Sequence, residues 1–330
     1  MYDVAAQAGV SIATVSFAFT QPHRVRAATR EAVLAAADSL GYLPSGTARG
    51  LARGRTGVIG FYSYEYVQEA DGSDLRHFPL YADEVQRGAQ LECRRRGFAL
   101  MLGAGHNPGD LPAVVDIAGR VDGLIAFDQS APADALARIA RRIPVVRLGS
   151  DGPHDAVRAV RVDNRTGIQQ LTEHLLRVHG ARRLVYLGQY EAPEFAVRYA
   201  GFSAALTEAG LPVPPPLHSH PGDEAGTVAT LAGLPTPDAF VCATDQEALV
   251  VIDFLRAAGI GVPDRVAVTG FDGTLAGRIT EPRLTTVRQP MEEIGRTAVR
   301  LLAGMLDGTD PEPDPAFLPA PFVIGHSCGC

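Results

Sequence analysis

Lysine and tryptophan are absent from this sequence, and cysteine and methionine occur only four times each. All thirty basic side chains are therefore arginines, a bias that, beside abundant Ala, Gly and Pro, reads as genome composition rather than a device. Cys93, Cys242, Cys328 and Cys330 are too few and too irregularly spaced for a disulfide framework. Cys328-Gly329-Cys330 offers a metal two ligands, but a structural site takes four. The sequence places no matching pair or histidine cluster nearby, so neither a metal nor a cofactor is expected. No apolar run reaches the roughly 18 residues that a membrane span needs. The N-terminus lacks a charged segment followed by an apolar one, so the expectation is a cytoplasmic protein without membrane attachment. A Gly-x-Gly-x-x-Gly or phosphate-binding loop and a nucleophile elbow are missing as well, which argues against an enzyme.

What is present divides unevenly. The 330 residues suffice for two or three domains, and the net charge of −7 taken whole leans away from nucleic acid. Residues 1–56, however, hold six arginines (Arg24, Arg26, Arg30, Arg49, Arg53, Arg55) against Asp3, Glu31 and Asp38, a net of +3. The remainder holds 24 arginines against 34 acids, a net of −10. A small basic head on an acidic body is the asymmetry expected when one part meets phosphate and the rest must not.

The local sequence of the head supports that division. Asp3–Ala8 is a short Ala-rich helix ended by Gly9, and Ser11 is a natural N-cap for a second helix from Ile12 to about Phe19. Two short helices about a glycine-containing turn make a helix-turn-helix, whose second helix enters the major groove. Val4, Ala8, Val15 and Phe19 form the predicted shared face. A third helix follows from about Ala27 to Leu40, with Val33, Ala37 and Leu40 at helical spacing and Gly41 at its C-cap.

Asp3-Val4-Ala5-x-x-Ala8-Gly9-Val10-Ser11-x-Ala13-Thr14-Val15-Ser16 resembles the N-terminal signature of the lactose/galactose-repressor (LacI/GalR) family. Thr29-Arg30-Glu31-x-Val33-x-x-Ala36-Ala37-x-x-Leu40-Gly41-Tyr42-x-Pro44 continues it in register. The chain starts directly on this pattern, without the family's usual basic or polar lead-in. The resemblance implies a DNA-binding head over 1–44 and a hinge over 45–56 that folds as a helix in the minor groove. Ala48-Arg49-x-Leu51 matches the hinge, with Leu51 in the place of the apolar wedge that opens a base step. Gly46, Gly50 and Gly54 each cost a helix about 1 kcal/mol against Ala, so this segment suits a coil-to-helix switch. Arg49, Arg53 and Arg55 flank it, where a narrow minor groove attracts arginine.

On the recognition helix the chain departs from the family, which usually carries a hydrogen-bonding residue after Thr-Val-Ser. Here Phe17 stands there, with Ile12 and Ala13 at the other base-facing positions, and none makes a bidentate base contact. Ser11, Thr14 and Ser16 remain as polar groups for DNA. Two readings stand: readout through thymine methyls and minor-groove contacts from Arg49 and Leu51, or a Phe17 that packs while specificity lies elsewhere in the head.

From Gly57 onward, strands of four to six residues alternate with amphipathic helices of ten to sixteen, and the scheme restarts after about residue 160. That is the pattern of doubly wound parallel sheets in two lobes, with ligand at the carboxyl ends of the strands. Val162-Asp163-Asn164-x-x-Gly167, Thr244-Asp245-x-x-Ala248-Leu249, Gly270-Phe271-Asp272 and Leu284-Thr285-Thr286-Val287-x-Gln289-Pro290 extend the resemblance through the body. It implies an α/β, periplasmic-binding-protein-like core over 57–330 with three crossings, near Val160, Gln289 and Pro315. The lobes are then about 57–160 plus 290–315, and about 161–289 plus 316–330.

The same resemblance places an effector-binding arginine at Arg198 and a ligand-accepting aspartate at Asp272. Thr244 replaces the family's usual Asn and shortens that side chain, and Asp128, just past the strand ending at Phe127, is a further candidate. Residues 61–81 hold six of the chain's 22 aromatics, so Tyr62, Phe78 and Tyr81 are candidates for stacking on a sugar or flat ring. The alternative is a longer surface loop on a packed aromatic base. Gly149 stands where many relatives carry a polar contact, and His218 and His220 read as solvated. No apolar heptad follows Asp307, so no tetramerisation helix is expected. The reading is a homodimeric regulator, a repressor of a pseudo-palindromic operator in double-stranded DNA, controlled by a sugar-like small molecule. The alternative is a small-molecule-binding protein with a degenerate head, a reading that rests on Phe17.

Overall fold

Helix α1 (Tyr2–Ala8) stops where Gly9 turns left-handed, at φ 65°, and returns its N–H to the carbonyls of Ala5 and Ala6. Only three residues later Ser11 starts α2 (Ile12–Thr20), its side chain accepting the Thr14 N–H at 3.1 Å. A single 3₁₀ turn, Pro22–Arg24, leads to α3 (Ala27–Ser39). The three helices close over Val4, Ala5, Val15, Ala18, Val33, Ala36 and Ala37, all buried, with Ala8 and Phe19 partly buried at the edge. Leu40 departs from its predicted core position and is 45% exposed, because α3 ends at Ser39. Tyr42 takes its place: its N–H returns to the Ala37 carbonyl at 2.8 Å and its ring lies 6.1 Å from Phe19.

The structure, a computed structural model, describes residues 1–43, 54–64, 80–105, 111–128, 130–149, 157–188, 193–219, 224–309 and 316–330. Met1–Gly57 forms one unit and Val58–Cys330 the other. Ala48, Arg49, Leu51 and the rest of the predicted hinge up to residue 53 lie outside the described residues, as do Phe78, His220 and the acidic segment 65–74. No helix is long and apolar enough to cross a membrane among the described residues.

The larger unit contains two sheets. In the first, β1 (Val58–Tyr64), β2 (Ala99–Gly105), β3 (Gly123–Phe127), β4 (Val145–Leu148), β5 (Arg158–Val162) and β10 (Ala316–Leu318) run parallel in the order β10-β5-β4-β3-β1-β2. In the second, β6 (Leu184–Leu187), β7 (Ala239–Cys242), β8 (Ala267–Asp272) and β9 (Thr285–Arg288) are parallel, and β11 (Phe322–Val323) adds antiparallel to β9. Residues 316–318, expected in the second lobe, pair with β5 in the first, so the last crossing falls after Leu318 rather than at Pro315. A three-residue strand leaves no alternation to read, which is why the sequence did not reveal it.

Helices α4 (Leu80–Arg96), α5 (Leu111–Ala118) and α6 (Ala133–Ile139) belong to the first sheet. Helices α7 (Asn164–Arg177), α8 (Pro193–Glu208), α9 (Glu224–Ala232), α10 (Asp245–Ala257) and α11 (Leu275–Ile279) belong to the second. Helix α12 (Met291–Asp307) follows the β9 crossing and returns to pack on α4 and β3–β5. Gly201 brings α8 against α7: a Cβ there would sit 2.4 Å from the Arg165 carbonyl oxygen. That close approach sets the reach of Arg198, one turn earlier on α8.

Asp245, the first residue of α10, is fully buried and ties together the carboxyl ends of the second sheet. Its carboxylate accepts Thr274 N at 2.6 Å, Thr274 Oγ1 at 3.0 Å and Thr286 Oγ1 at 2.5 Å. Replacing Asp245 by Ala strands these buried donors, each at a cost of about 1–3 kcal/mol. We therefore expect Asp245→Ala to lower the urea midpoint of unfolding clearly, and an exposed control such as Asp253→Ala to leave it unchanged. An unaltered midpoint for Asp245→Ala would remove Asp245 from this account.

Candidate functional site

The exposed side of the head is built on α2. Ser11 spends its hydroxyl on the helix cap and on Thr14 Oγ1, 2.9 Å away. Ile12, at 38% exposure, and Ala13 are open to solvent, whereas Thr14, Ser16 and Phe17 are half-buried. The Ser16 carbonyl accepts the Thr20 hydroxyl at 2.7 Å. Arg24 lies over the Phe17 ring, its guanidinium carbon 4.3 Å from the ring centroid, and its Nη1 donates to Gln21 Oε1 at 3.0 Å. Phe17 thus packs, and its aromatic face carries a cation. Sequence reasoning missed Arg24, which reaches α2 only because the Pro22–Arg24 turn folds back.

In the core the organising group is Arg198 on α8, which is 5% exposed. Its Nε donates to Asn164 Oδ1 at 2.8 Å and its Nη1 to the Ala243 carbonyl at 2.6 Å. The guanidinium lies over Phe271, 3.8 Å from the ring centroid, with the Phe195 ring at 4.9 Å. Two anchored nitrogens and a stacked plane fix its orientation. Nη1 stands 3.9 Å from Asp272 Oδ1, an ion pair too long for a hydrogen bond.

Asp272 ends β8 with φ 123°, a backbone conformation that costs a non-glycine residue energy. Gln289 restrains it twice: the Gln289 side chain donates to Asp272 Oδ1 at 2.7 Å, and the Gln289 backbone N–H donates to the Asp272 carbonyl at 2.9 Å. Burial pushes the Asp272 carboxyl well above the usual carboxylate range, against the opposing pull of Arg198. Burial raises the phenol of Tyr81, at the start of α4 in the other lobe; Arg198 opposes that shift, and Asp272 and Glu194 add to it. Its ring lies 6.0 Å from Phe127 at the end of β3. Arg198 and Asp272 therefore face each other at the carboxyl end of β8, with Tyr81 within their electrostatic reach.

Other predicted residues have other partners. Tyr62 is fully buried in a separate core cluster with Val114, Ile117, Leu124 and Leu136, a correction to its expected place at the ligand. Alternation along β1 puts it on the opposite face from Phe61, which packs toward Phe127. Thr244 caps α10 in a capping box with Glu247, whose carboxylate also accepts the Ser219 hydroxyl. Asp128 pairs at 2.9 Å with Arg147, itself only 2% exposed. Asn164, Asp245 and Gln289 sit inside sequence stretches already noted, but their partners are distant in sequence and no local pattern gives them a role. A cavity of about 590 Å³ lined by Ile252, Arg256, Pro263, Glu281, Pro282 and Cys330 contains none of the proposed effector residues.

The premise that no histidines lie near the Cys328-Gly329-Cys330 tail does not hold in the fold. The fold brings His174 and His179 beside Cys328 and Cys330, with the four potential ligand atoms all within 4.8 Å of one another. The sequence concealed this because His174 and Cys328 are 154 residues apart and meet only through the packing of the tail on α7.

Comparison with known proteins agrees with this architecture. Residues 1–45 match the family described as bacterial regulatory proteins, lacI family, and residues 172–328 match the periplasmic binding protein-like domain. The HTH-type transcriptional repressor CytR of Escherichia coli (strain K12) is 31% identical over 318 residues, covering 93% of this chain and 90% of that protein. The HTH-type transcriptional regulator CelR of Thermobifida fusca is 33% identical over 336 residues, covering 98% and 96%. A solved CelR–cellobiose complex superposes with a TM-score of 0.71 at 31% identity, covering 98% of each chain. The Lac repressor dimer bound to operator and the anti-inducer ONPF superposes with a TM-score of 0.84 at 25% identity, covering 99% and 98%. A capped helix-turn-helix, a two-lobed core and relatives matched along nearly their whole length lead to one assignment: this chain belongs to the LacI family of bacterial regulatory proteins.

Proposed function

We propose that this protein is a ligand-responsive transcriptional repressor that binds a pseudo-palindromic operator as a homodimer and takes a saccharide between the lobes of its core. It works in the cytoplasm and catalyses no reaction. The observation that carries the ligand half of this reading is the Arg198–Asp272 pair. An anchored donor and a restrained acceptor stand 3.9 Å apart, a spacing that a ligand hydroxyl bridges by accepting from one and donating to the other. Tyr81, within electrostatic reach of both, offers aromatic surface, with the Phe127 ring 6.0 Å from its own. The solved CelR complex with cellobiose supports a saccharide as the class of ligand.

The DNA half rests on α2, with Arg24 supplying from the following turn the positive charge that Phe17 cannot. Residues 45–56 serve as the hinge in this reading, Ala48, Arg49 and Leu51 being the positions that match the family's minor-groove pattern. Ligand changes operator affinity only to the extent that it binds the two states of the core differently.

Footprinting of the full-length protein on its own upstream DNA tests the reading. We expect a palindromic, salt-sensitive footprint that a saccharide selected by thermal shift removes or strengthens; no footprint with or without saccharide would favour the small-molecule-binding alternative. Arg24→Ala should weaken operator binding about tenfold and reduce the salt slope by about 1. An unchanged slope would mean that Arg24 merely packs on Phe17.

Asp272 gives the ligand site a pH signature. A neutral saccharide hydroxyl donates to the ionised carboxylate, so ligand affinity should increase as pH rises through the raised titration range of Asp272. Calorimetric titrations at a series of pH values should show that rise, and Asp272→Asn should flatten it. A wild-type affinity independent of pH from 5 to 8 (about the range of the raised group) would contradict the role given to Asp272.

A further inference from the structure

We propose that His174, His179, Cys328 and Cys330 form a four-coordinate site for a zinc-class divalent metal ion that fastens the C-terminal tail to α7. His174 lies in the last turn of α7, and His179 stands just before Gly180 in the turn that follows. Cys328 and Cys330 come from the final residues of the chain. The pairing is H-x₄-H with C-x-C, a two-histidine, two-thiolate donor set of the kind that structural zinc takes.

Four of the six spacings among the ligand atoms are close to those around a bound ion, and all six lie within 4.8 Å. His174 Nε2 and His179 Nε2 are 3.1 Å apart. Cys330 Sγ is 3.4 Å from each of them, and Cys328 Sγ is 3.7 Å from His174 Nε2. A tetrahedral ion with metal–nitrogen bonds of about 2.0–2.1 Å and metal–sulfur bonds of about 2.3 Å sets its ligand atoms about 3.3 Å apart for N–N and about 3.6 Å for N–S. All the close spacings fall near these edges. The two imidazoles meet at 71° rather than stacking, so their nitrogens approach a common point from different directions.

The surroundings hold the ligands in place. Thr285 Oγ1 accepts the Gly325 N–H at 2.9 Å, which turns its own proton toward Cys328 Sγ, 3.1 Å away. A hydroxyl donating to the sulfur supports a thiolate and orients it, the usual work of a group just outside a metal's ligands. Ser327 fixes the tail itself: its Oγ donates to the Val268 carbonyl at 2.5 Å and accepts the Thr285 N–H at 2.9 Å. Phe322 lies 5.0 Å from the His174 ring and closes one side. Four protein ligands leave no open position, so the ion is structural, joining points 154 residues apart in sequence. None of this depends on the operator or on the saccharide.

The test uses the full-length protein without an affinity tag, with zinc as the probe. We expect one equivalent of zinc per chain after dialysis against a weak chelator, and a melting temperature that falls by several degrees when a strong chelator removes it. Cobalt(II) in place of zinc should give the intense ligand-field bands of a tetrahedral site with a thiolate charge-transfer band. Cys330→Ser, at an exposed position, should keep the fold by circular dichroism, weaken the charge-transfer band and lower zinc affinity by about tenfold or more. His179→Gln should lower affinity likewise while leaving the thiolate band. The proposal is overturned if the wild-type protein gives up zinc as readily as Cys330→Ser. It is equally overturned if cobalt shows no tetrahedral thiolate spectrum, or if Cys328 and Cys330 are found joined as a disulfide in protein purified with zinc.

Discussion

A guanidinium held out of water must be given partners on every side, and in this protein that requirement shapes the whole of the proposed ligand region. Arg198 is stacked on Phe271 and bonded to Asn164 and to the Ala243 carbonyl, with Asp272 at the limit of an ion pair. The partners come from three segments: Asn164 starts α7, Ala243 follows β7, and Phe271 and Asp272 end β8. Removing any one would leave a buried charge incompletely compensated, which is far more costly than losing an exposed contact. The position of one side chain therefore fixes the spacing of three segments.

Two of the supporting residues stand at places where the chain passes between lobes. Asn164 comes two residues after the end of β5, the last strand of the first sheet before the crossing, and Gln289 directly after β9. A ligand that engages Arg198 and Asp272 thus pulls on groups bonded to the crossings themselves. The backbone strain at Asp272 is sustained by Gln289 on one side and by the fully buried Asp245 network on the other. Packed, hydrogen-bonded supports of this kind tend to hold one of a few discrete arrangements rather than deform smoothly.

Local sequence made the head readable: Gly9, Ser11 and the spacing of Val4, Val15 and Val33 specify three helices with contacts close along the chain. The strands of the core were readable for the same reason, as short apolar runs between amphipathic helices. Arg198 and Asp272 could be picked out because flanking residues gave the family register. Asn164, Asp245 and Gln289 lay in that same register, yet their roles consist of bonds to residues 17 to 41 positions away, which no local pattern encodes. Tyr62 departs from its expected place because aromatic enrichment does not tell which face of a strand a ring occupies. Leu40 departs because the helical period continues one residue past the end of α3, and the histidines opposite the Cys-Gly-Cys tail are hidden by sheer separation.

In the function proposed above, Arg198, held by its partners, transmits ligand binding to the operator-binding state. Replacing Arg198 by Lys keeps the charge but cannot satisfy Asn164 and the Ala243 carbonyl in one fixed plane. Operator binding followed by fluorescence anisotropy, with and without the saccharide that stabilises the wild-type protein, tests this directly. Arg198→Lys should bind operator without saccharide as the wild-type protein does, while the shift caused by saccharide falls by about tenfold or disappears. A variant that binds operator normally and still responds fully to saccharide would contradict the account.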